Sequence, residues 1–534
     1  MAPSWTAVMV AVLLCSWCAP GSAGAGEFDF VQSKCLKVPA TEFVRSVISA
    51  IRNITQANAT VAEIGESVGH YGHFRLSTAI SDCLDLLDFS AEELSWTIHH
   101  WGGKKSNSTV GIGTGNMSAD LRTWLTAALS NQDTCLQGFD ATNGTVKKFV
   151  ERPIKQVTAA VRHILAAVES VPPVKNNSVR GRPTPKPAGG RKLLSTPEFP
   201  EWLKPNDRKL LQSVEFTPDA VVALDGTGNF TSIMDAVSAV NNSVSDRRYV
   251  IHVKKGVYRE NVEIGKKKWN IMMIGDGKGN TIISGNRSFI DGWTTFRSAT
   301  FAVKGLGFIA RDLTIENTAG PEKHQAVAFR SDSDLSVLYR CAITGYQDTL
   351  YAHTLRQFYR ECYISGTVDF IFGNAAAVFQ KCQIQARQGL PDQKNTITAH
   401  GRKDPTEPTG FSIQFCKITG DPGLIAAGNS TSTYLGRPWK LYSRTVVMES
   451  YLSSVIMPRG WLEWNASFAL DTLFYGEYLN YGPGAGLGSR VNWTGYHGIM
   501  DFDQANDFTV ARFIRGNTWL PSTGFQYTAG LKEV

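Results

Sequence analysis

A short unit recurs in the second half of the chain: a cysteine, an isoleucine two residues later and, in most copies, a glycine after that. The copies begin at Cys341, Cys362, Cys382 and Cys416. The first three begin 21 and 20 residues apart, a period typical of solenoid proteins, in which each repeat is one small supersecondary unit. We therefore predict that each repeat is one coil of a right-handed parallel β-helix.

Two aspartates occupy the same phase of this repeat. Asp348 follows Cys341 by seven residues, and Asp369 follows Cys362 by seven. Residues at the same phase of neighbouring coils lie about 4.8 Å apart, so two carboxylates there repel each other, and such repulsion separates the pKa values of a pair. Paired carboxylates of this kind are a recurrent catalytic device. The alternative is a pair of solvated aspartates at coil corners.

Length and composition indicate two folded domains joined by a linker. The chain has 534 residues, of which 43% are hydrophobic and 19% charged, which is an ordinary globular composition. The net charge of +7 is spread over the sequence. It favours an anionic partner, whether nucleic acid, membrane surface or acidic polysaccharide, without selecting one.

The first 25 residues predict a signal peptide. An apolar run is followed by small residues that end in Ala23-Gly-Ala25, which is typical of a cleaved secretory leader. The run has no preceding Lys or Arg, so an uncleaved anchor remains an alternative. Several Asn-x-Ser/Thr acceptors, among them Asn53 and Asn229, agree with secretion and glycosylation. Removing the leader leaves seven cysteines, an odd number.

Residues 27–171 show helical periodicity. Apolar residues recur on one face of each predicted helix, for example Ile154, Val157 and Val161, so we expect a helical bundle. Cys83 and Cys135 lie on or beside two of these helices and could join them through a disulfide. No residue of this region has a catalytic pattern.

Residues 172–212 are a predicted linker, rich in Pro, Gly and basic residues, that stays extended and solvated. The linker contains the same four-residue sequence twice, and a processing protease could reach either copy. The alternative is that basic pairs are simply common in exposed linkers. The two copies are Arg191, Lys192, Leu193, Leu194 and Arg208, Lys209, Leu210, Leu211.

Residues 213–534 consist of short β-branched and aromatic runs broken by Gly and Asn, which indicates an all-β domain of about 320 residues. The predicted fold is therefore multidomain, an N-terminal all-α bundle followed by the β-helix. The histidines of this part show no metal-ligand spacing and no serine nucleophile elbow is present, so we predict no metal site.

Four polar stretches of the β domain form a family signature: HQAVAFR, GYQDTLY, GTVDFIFGN and LGRPW. Together with STGFQYTAGL near the end, they resemble plant pectin methylesterases from about Thr217 to the C-terminus. The N-terminal stretches SDCLDLL and LRTWLTAALSNQDTCLQGF resemble the inhibitor domain that precedes the enzyme in the longer members of that family.

The resemblance implies hydrolysis of the C6 methyl esters of homogalacturonan, without a cofactor. Asp369 would be the nucleophile that forms an acyl intermediate, and Asp348 the acid that protonates methanol and then activates water. Gln325 and Gln347 would stabilise the oxyanion. Arg437 would orient Asp369 and keep it ionised. Since adjacent residues of a strand face opposite sides, Gln347 and Asp348 can share the groove only if the strand ends before them.

The resemblance also assigns Thr295 and Trp439 to substrate binding, Trp439 by stacking on a sugar ring, in the same groove as Gln325 and Arg437. The β-domain cysteines allow three pairings, from which the family pattern selects Cys362 with Cys382 and leaves the other two as thiols. The family's usual second cysteine after Cys35 is missing here.

The expected partners are methyl-esterified homogalacturonan, inhibitor proteins and a subtilisin-like processing protease. We expect no nucleic acid, no membrane contact after leader cleavage, and a monomer secreted to the extracellular cell wall. The N-terminal domain would be autoinhibitory or a folding and export aid. The competing hypotheses are a glycoside hydrolase with a retaining carboxylate pair, a calcium-dependent lyase and a pectin-binding protein without turnover.

Overall fold

The structure is a computed structural model that describes residues 36, 38–68, 73–101, 112–142, 144–168, 217–241, 247–428 and 431–532. The predicted signal peptide, the whole predicted linker 172–212 with both Arg-Lys-Leu-Leu sequences, and Cys35 lie outside these residues. None of the helices within the described ranges is long and apolar enough to cross a membrane.

Among the described residues, the N-terminal region is a bundle of four helices: α1 (Ala40–Val68), α2 (Phe74–Trp101), α3 (Met117–Gly138) and α4 (Gly144–Ala167). Apolar residues spaced by three, four or seven positions form its core, as the periodicity predicts. Helix α2 packs on α3, and α1 packs on α2 and α4. A disulfide joins Cys83 of α2 to Cys135 of α3, with Cα atoms 4.4 Å apart.

The C-terminal region is a parallel β-helix, so the predicted architecture is confirmed. Every strand pair is parallel, and each complete coil contributes one strand to each of three sheets. The first sheet has eleven strands: β1 (Ala220–Val222), β2 (Tyr249–Val253), β5 (Ile271–Gly275), β8 (Ile309–Arg311), β11 (Ser336–Tyr339), β14 (Arg356–Arg360), β17 (Ala376–Gln380), β20 (Gly410–Gln414), β23 (Arg444–Met448), β25 (Phe474–Tyr478) and β26 (Tyr496–His497).

The second sheet has seven strands: β4 (Val262–Ile264), β7 (Phe301–Val303), β10 (Phe329–Ser331), β13 (Leu350–Ala352), β16 (Ile371–Gly373), β19 (Asn395–His400) and β22 (Thr433–Gly436). The third has eight: β3 (Gly256–Tyr258), β6 (Thr281–Gly285), β9 (Thr314–Asn317), β12 (Ala342–Thr344), β15 (Tyr363–Gly366), β18 (Gln383–Ala386), β21 (Lys417–Gly420) and β24 (Tyr451–Leu452).

The cysteine repeat marks the corner between the first and third sheets. The residue before each cysteine has a positive φ, for example 52° at Arg340 and 54° at Glu361, so the chain turns sharply through one left-handed residue. The isoleucines two residues after the cysteines pair in register, Ile343 with Ile364 and Ile364 with Ile384, and are fully buried. The repeat therefore encodes a corner followed by an inward-facing strand.

The predicted disulfide between Cys362 and Cys382 is wrong, because the structure has both as buried free thiols, together with Cys341 and Cys416. The four side chains form one inward stack. The Cys362 sulfur contacts the carbonyl of Leu338 at 3.3 Å, and the Cys382 sulfur contacts that of Tyr359 at 3.5 Å. The thiols thus point at backbone carbonyls of the coil interior.

Short helices cover the β-helix. Helix α5 (Ile233–Ala239) buries Ile233, Ala236 and Val237 in the same core as the first coils. Helix α6 (Pro422–Ala426) follows β21. Three short helices near the C-terminus, α7 (Phe502–Asn506), α8 (Val510–Phe513) and α9 (Gly516–Trp519), are followed by residues that pack with them on the outer face of the first sheet.

Candidate active site

The two predicted catalytic aspartates lie in equivalent turns of consecutive coils. Asp348 lies between β12 and β13, and Asp369 lies between β15 and β16. Both have left-handed backbones, with φ of 61° and 51°, a conformation that Asp tolerates better than most residues. The strand before Asp348 ends at Thr344, which is the break needed for Gln347 and Asp348 to escape strict strand alternation.

Asp369 is held by three hydrogen bonds to its carboxylate. Arg437 donates from Nε to Oδ1 at 2.8 Å and from Nη2 to Oδ2 at 2.7 Å. The Thr396 hydroxyl, on β19 in the next coil, donates to Oδ1 at 2.6 Å. A guanidinium that donates two parallel bonds fixes both the plane and the charge of its partner. Asp369 is therefore an oriented carboxylate, and its Oδ2 has fewer partners than Oδ1.

Asp348 has a different environment although it lies only one coil away. It is buried, 7% exposed, and its backbone N–H donates to the carbonyl of Val368 at 3.1 Å. Burial raises the pKa of Asp348 well above its ordinary value, and the charge of Asp369 raises it further, against an opposing effect of Arg437. The pair therefore contains one arginine-bound carboxylate and one carboxyl that retains its proton more strongly.

Gln325 and Gln347 lie in adjacent coils on the same side as the aspartates. The backbone N–H of Ala326, next to Gln325, donates to the carbonyl of Gln347 at 3.2 Å. Both glutamines are half-buried. The backbone of both glutamines therefore lies beside the turn that contains Asp348, and the oxyanion role of their side-chain amides stays a prediction.

Thr295 lies on the loop before β7, directly before a short 3₁₀ turn (Phe296–Ser298), and its carbonyl accepts a bond from the Ser298 hydroxyl at 2.8 Å. The preceding residue, Thr294, donates its hydroxyl to Asp82 of α2. The predicted substrate-contacting threonine is thus adjacent to a residue that contacts the helical bundle.

Aromatic side chains extend the site along the second sheet. Trp439, two residues after Arg437, meets Phe372 edge to face at 5.8 Å between ring centroids, and Phe372 stacks on Tyr351 at 4.2 Å. Such a surface is suited to the flat faces of sugar rings. The guanidinium of Arg437 also lies 4.3 Å from the centre of the Trp464 ring.

Sequence reasoning missed Thr396 and Trp464. Thr396 lies 27 residues after Asp369 and belongs to a run, Asn395-Thr-Ile-Thr-Ala-His400, that reads as an ordinary strand. Trp464 is 38% exposed, but this exposure is visible only in the structure, so the sequence offered no signal for it. No set of three or more His, Cys, Asp or Glu side chains suited to a metal ion is found among the residues that the structure describes.

The helical bundle lies against this aromatic surface. Phe296, Tyr351 and Phe372 are buried in one cluster with core residues of the bundle, and Trp439 packs on the same cluster. The bundle therefore covers aromatic side chains that lie within three residues of Asp369, Asp348 and Arg437 in sequence.

Opposite charges hold the two domains together at several points. Arg297 of the β-helix contacts Asp82 at 2.7 Å and Asp85 at 2.5 Å, both on α2. Lys266 contacts Asp88 at 2.7 Å and Glu92 at 2.9 Å. The acidic side of α2 thus meets a basic edge of the β-helix.

Helix α3 makes a second, more buried set of contacts. Arg356 lies between Asp120 of α3, at 2.5 Å, and Asp334, at 2.6 Å, and all three side chains are at most 3% exposed. Thr134 of α3 lies 2.7 Å from Nε2 of His353, whose Nδ1 contacts Asp332. These polar groups are fully paired only when the bundle is docked, which makes the docked arrangement specific.

Comparisons with known proteins agree with this geometry. The Pectinesterase family model matches residues 219–517, and the model for plant invertase/pectin methylesterase inhibitor matches residues 34–167. A pectinesterase/pectinesterase inhibitor of Prunus persica, PPE8B, is 58% identical over 531 residues, 99% of this chain and 97% of that protein. The probable pectinesterase/pectinesterase inhibitor 32 of Arabidopsis thaliana is 58% identical over 525 residues, 97% of each.

Solved structures resemble the β-helix. A pectin methylesterase from carrot is 52% identical with a TM-score of 0.59. The match covers 60% of this chain and 100% of the carrot protein's chain. A pectin methylesterase from Aspergillus niger is 29% identical with a TM-score of 0.50. That match covers 57% of this chain and 97% of the fungal protein's chain.

Proposed function

The chain belongs to the pectinesterase family, and on that premise we propose that it hydrolyses the C6 methyl esters of homogalacturonan to pectate and methanol. The observation that carries the proposal is the pair Asp348 and Asp369, one coil apart, of which only Asp369 has the two-point contact with Arg437. This asymmetry supplies one nucleophile and one proton donor at the same ester.

Asp369 begins the reaction. Its Oδ2 has Arg437 Nη2 as hydrogen-bond donor, whereas Oδ1 accepts from both Arg437 and Thr396. We assign Oδ2 as the attacking atom, because it has the freer lone pair. Its attack on the ester carbonyl forms a C–O bond and moves the carbonyl electrons to oxygen. The amides of Gln325 and Gln347 then donate hydrogen bonds to that oxyanion.

Asp348 acts first as the general acid and then as the general base. In its protonated form it donates to the methoxy oxygen as the tetrahedral intermediate collapses, so methanol leaves and an acyl group remains on Asp369. The resulting Asp348 carboxylate then accepts one proton from water as the water oxygen attacks the acyl carbon. The bond from that carbon to Asp369 breaks, Asp369 leaves as a carboxylate, and the released galacturonic acid gives its remaining proton to solvent. The raised pKa of Asp348 suits this alternation, because the group must be able to hold a proton and to take one back.

Substrate binding is assigned to Trp439, to Thr295 and to the aromatic surface between them. Trp439 lies two residues after Arg437 in the sequence, and Phe372 packs edge to face against its ring. A galacturonosyl unit that stacks there would place the next ester near Asp369. The bundle contacts the same surface, so polymer and bundle compete for it.

We further propose that the bundle restrains the enzyme until the linker is cut. The contacts of Arg297, Lys266 and Arg356 with bundle carboxylates hold it in place. A tethered domain acts at an effective concentration on the order of millimolar for a short flexible linker. Cutting at either Arg-Lys-Leu-Leu sequence by a subtilisin-like protease would remove this high effective concentration. Secretion to the cell wall is part of this proposal, since the polymer is found there.

Methanol release tests both the esterase activity and its restraint by the bundle. A chain whose two Arg-Lys pairs are changed to Ala, with one engineered protease site in the linker, is assayed on methylated pectin before and after cutting. We expect methanol in both states and an increase after cutting. Reducing ends without methanol would indicate a glycosidase, unsaturated ends a lyase, and no product a binding protein.

Equal methanol release before and after cutting would reject the inhibitory role while leaving the esterase proposal intact. A matched chain that begins near Ser213 then separates the remaining alternative. Poor secretion of this short chain with unchanged specific activity would assign the bundle to folding and export.

A further inference from the structure

One bundle carboxylate is held by two lysines next to the predicted sugar-stacking tryptophan. Asp133 of α3 lies 2.5 Å from Lys403 Nζ and 3.2 Å from Lys440 Nζ. Lys403 follows β19, and Lys440 follows β22 directly after Trp439. Burial acts to raise the pKa of Asp133, but Lys440 and Lys403 outweigh it, so this pKa lies below its ordinary value. The two lysines therefore stabilise a carboxylate ion here.

The same place contains a cavity of about 310 Å³ between the two domains. Asp133 and Gln137 line it from α3, and Tyr351, Lys403 and Trp439 line it from the β-helix. Helix α3 thus closes a space that opens onto the aromatic surface when the bundle leaves.

Trp439 lines this cavity and packs closely against its neighbours. The ring lies against Gly401, where a side-chain Cβ would be only 2.9 Å from it, and Lys440 Nζ is 5.2 Å from the ring centre. A bulkier residue at 401 would displace the tryptophan. The close approach to Gly401 therefore fixes the position of the ring beside Lys440.

The buried carboxyl on the cavity wall does not cancel the lysines. Burial raises the pKa of Glu407 to about 7, so it is largely neutral in a mildly acidic cell wall. Its Oε2 accepts bonds from the Lys403 backbone at 3.0 Å and from Asn374 at 3.2 Å. In the docked arrangement the cations that face Asp133 are therefore Lys403 and Lys440.

We propose that Lys403 and Lys440 bind the free carboxylate of a galacturonosyl unit that lies beside the reacting ester, and that Asp133 occupies this position in the uncut chain. The inference rests on the proposed esterase function. It gives the enzyme a preference for polymer that is already partly de-esterified, because a methylated unit offers no anion to the two ammonium groups. It also makes Asp133 a mimic of the reaction product.

The test compares the double variant Lys403→Gln/Lys440→Gln with the wild type and with Lys381→Gln. Lys381 is an exposed lysine between β17 and β18, far along the coil from the second sheet, so this control removes charge elsewhere. All three are full chains with a cleavable linker, assayed after cutting. The probes are highly methylated pectin, half-methylated pectin and a fully de-esterified galacturonate hexamer.

We expect the double variant to raise KM on half-methylated pectin and the inhibition constant of the hexamer by about tenfold, the scale of two exposed ion pairs. Its kcat and its KM on highly methylated pectin should match those of the wild type. Unchanged KM and inhibition constant, or the same change in Lys381→Gln, would overturn the proposal. A lack of methanol from every chain would instead reject the esterase function itself.

A second measurement uses the uncut chain. Asp133→Asn removes the mimic charge, and asparagine keeps the shape, so this variant should bind the hexamer in calorimetry more tightly than the uncut wild type. Equal affinity of the two would contradict occupation of the site by Asp133. A loss of bundle folding, visible by circular dichroism, is checked first, and Asp140→Asn, an exposed residue paired with Lys147, is the matched control.

Discussion

Asp348 and Asp369 adopt the same left-handed turn in consecutive coils, and the N–H of Asp348 donates to the carbonyl of the residue before Asp369 at 3.1 Å. The backbone thus locks the two carboxyl groups at a fixed offset. Asparagine is the other residue that tolerates this conformation well. Asp→Asn variants at both positions should therefore keep the turns and report on chemistry alone.

The first prediction concerns the nucleophile. Asp369→Asn should lower kcat on the order of 10³-fold or more, because the amide cannot form the acyl intermediate. Methanol release measures it, and thermal unfolding checks that the fold is intact. A variant that retains activity within about tenfold, or 1.4 kcal/mol of barrier, would show that Asp369 is not the nucleophile.

The second prediction concerns stability and pH at Asp348. Its folded-state pKa is raised, so the proton stabilises the fold at low pH, and that contribution is lost as pH rises through the folded pKa. Asparagine does not ionise, so the Asp348→Asn variant does not lose stability as the pH rises. The melting temperature of the variant should therefore exceed that of the wild type by a margin that grows above about pH 4, while methanol release falls. A margin independent of pH would contradict the buried, proton-holding environment.

The third prediction concerns the two-point contact of Arg437. Arg437→Lys keeps the positive charge but cannot donate two parallel bonds to Asp369. We expect kcat to fall roughly 10²-fold with little change in KM. Arg437→Ala should be partly rescued by added guanidinium and much less by methylammonium. If KM rises while kcat is retained, Arg437 serves substrate binding instead.

The fourth prediction follows from the inward cysteine stack. Alkylation in denaturant without reductant should label Cys341, Cys362, Cys382 and Cys416, and mass spectrometry should find Cys83 and Cys135 labelled only after reduction. A disulfide-linked peptide containing Cys362 or Cys382 would contradict the structure. Since these four cysteines form no disulfide that could be reduced, reductant should leave the methanol release of the cut enzyme unchanged.

The fifth prediction concerns the buried charge at the domain interface. Arg356→Met leaves Asp120 and Asp334 without their shared cation, at a cost of roughly 3–5 kcal/mol. We expect a looser bundle, faster proteolysis of α3 and higher activity of the uncut chain. The control Arg340→Met breaks an exposed pair with Asp312, 44% and 18% exposed, and should cost about 0–1 kcal/mol. Equal behaviour of the two variants would reject Arg356 as a docking residue.

The amino-acid sequence by itself determined the coil repeat and the pairing of Asp348 with Asp369. Both follow from local rules. Residues at the same position of successive repeats stack on one another when the period is fixed, and an apolar residue two positions after a corner faces the coil interior. Strand alternation also required the strand to end before Gln347 and Asp348, because adjacent residues of a strand face opposite sides, and the strand does end at Thr344. The bundle and the Cys83–Cys135 contact followed from helical periodicity.

The family resemblance named Arg437 as the partner of Asp369, but the contacts of that pair with side chains distant in the chain form only in the tertiary structure. Arg437 and Thr396 reach Asp369 across 68 and 27 residues, and Trp464 reaches Arg437, because intervening loops set how far each coil projects over the sheet. No local period encodes such lengths. The same holds for the cysteine stack, whose thiols face carbonyls, and for Asp133, which meets Lys403 and Lys440 only because two separately folded domains match in shape and charge.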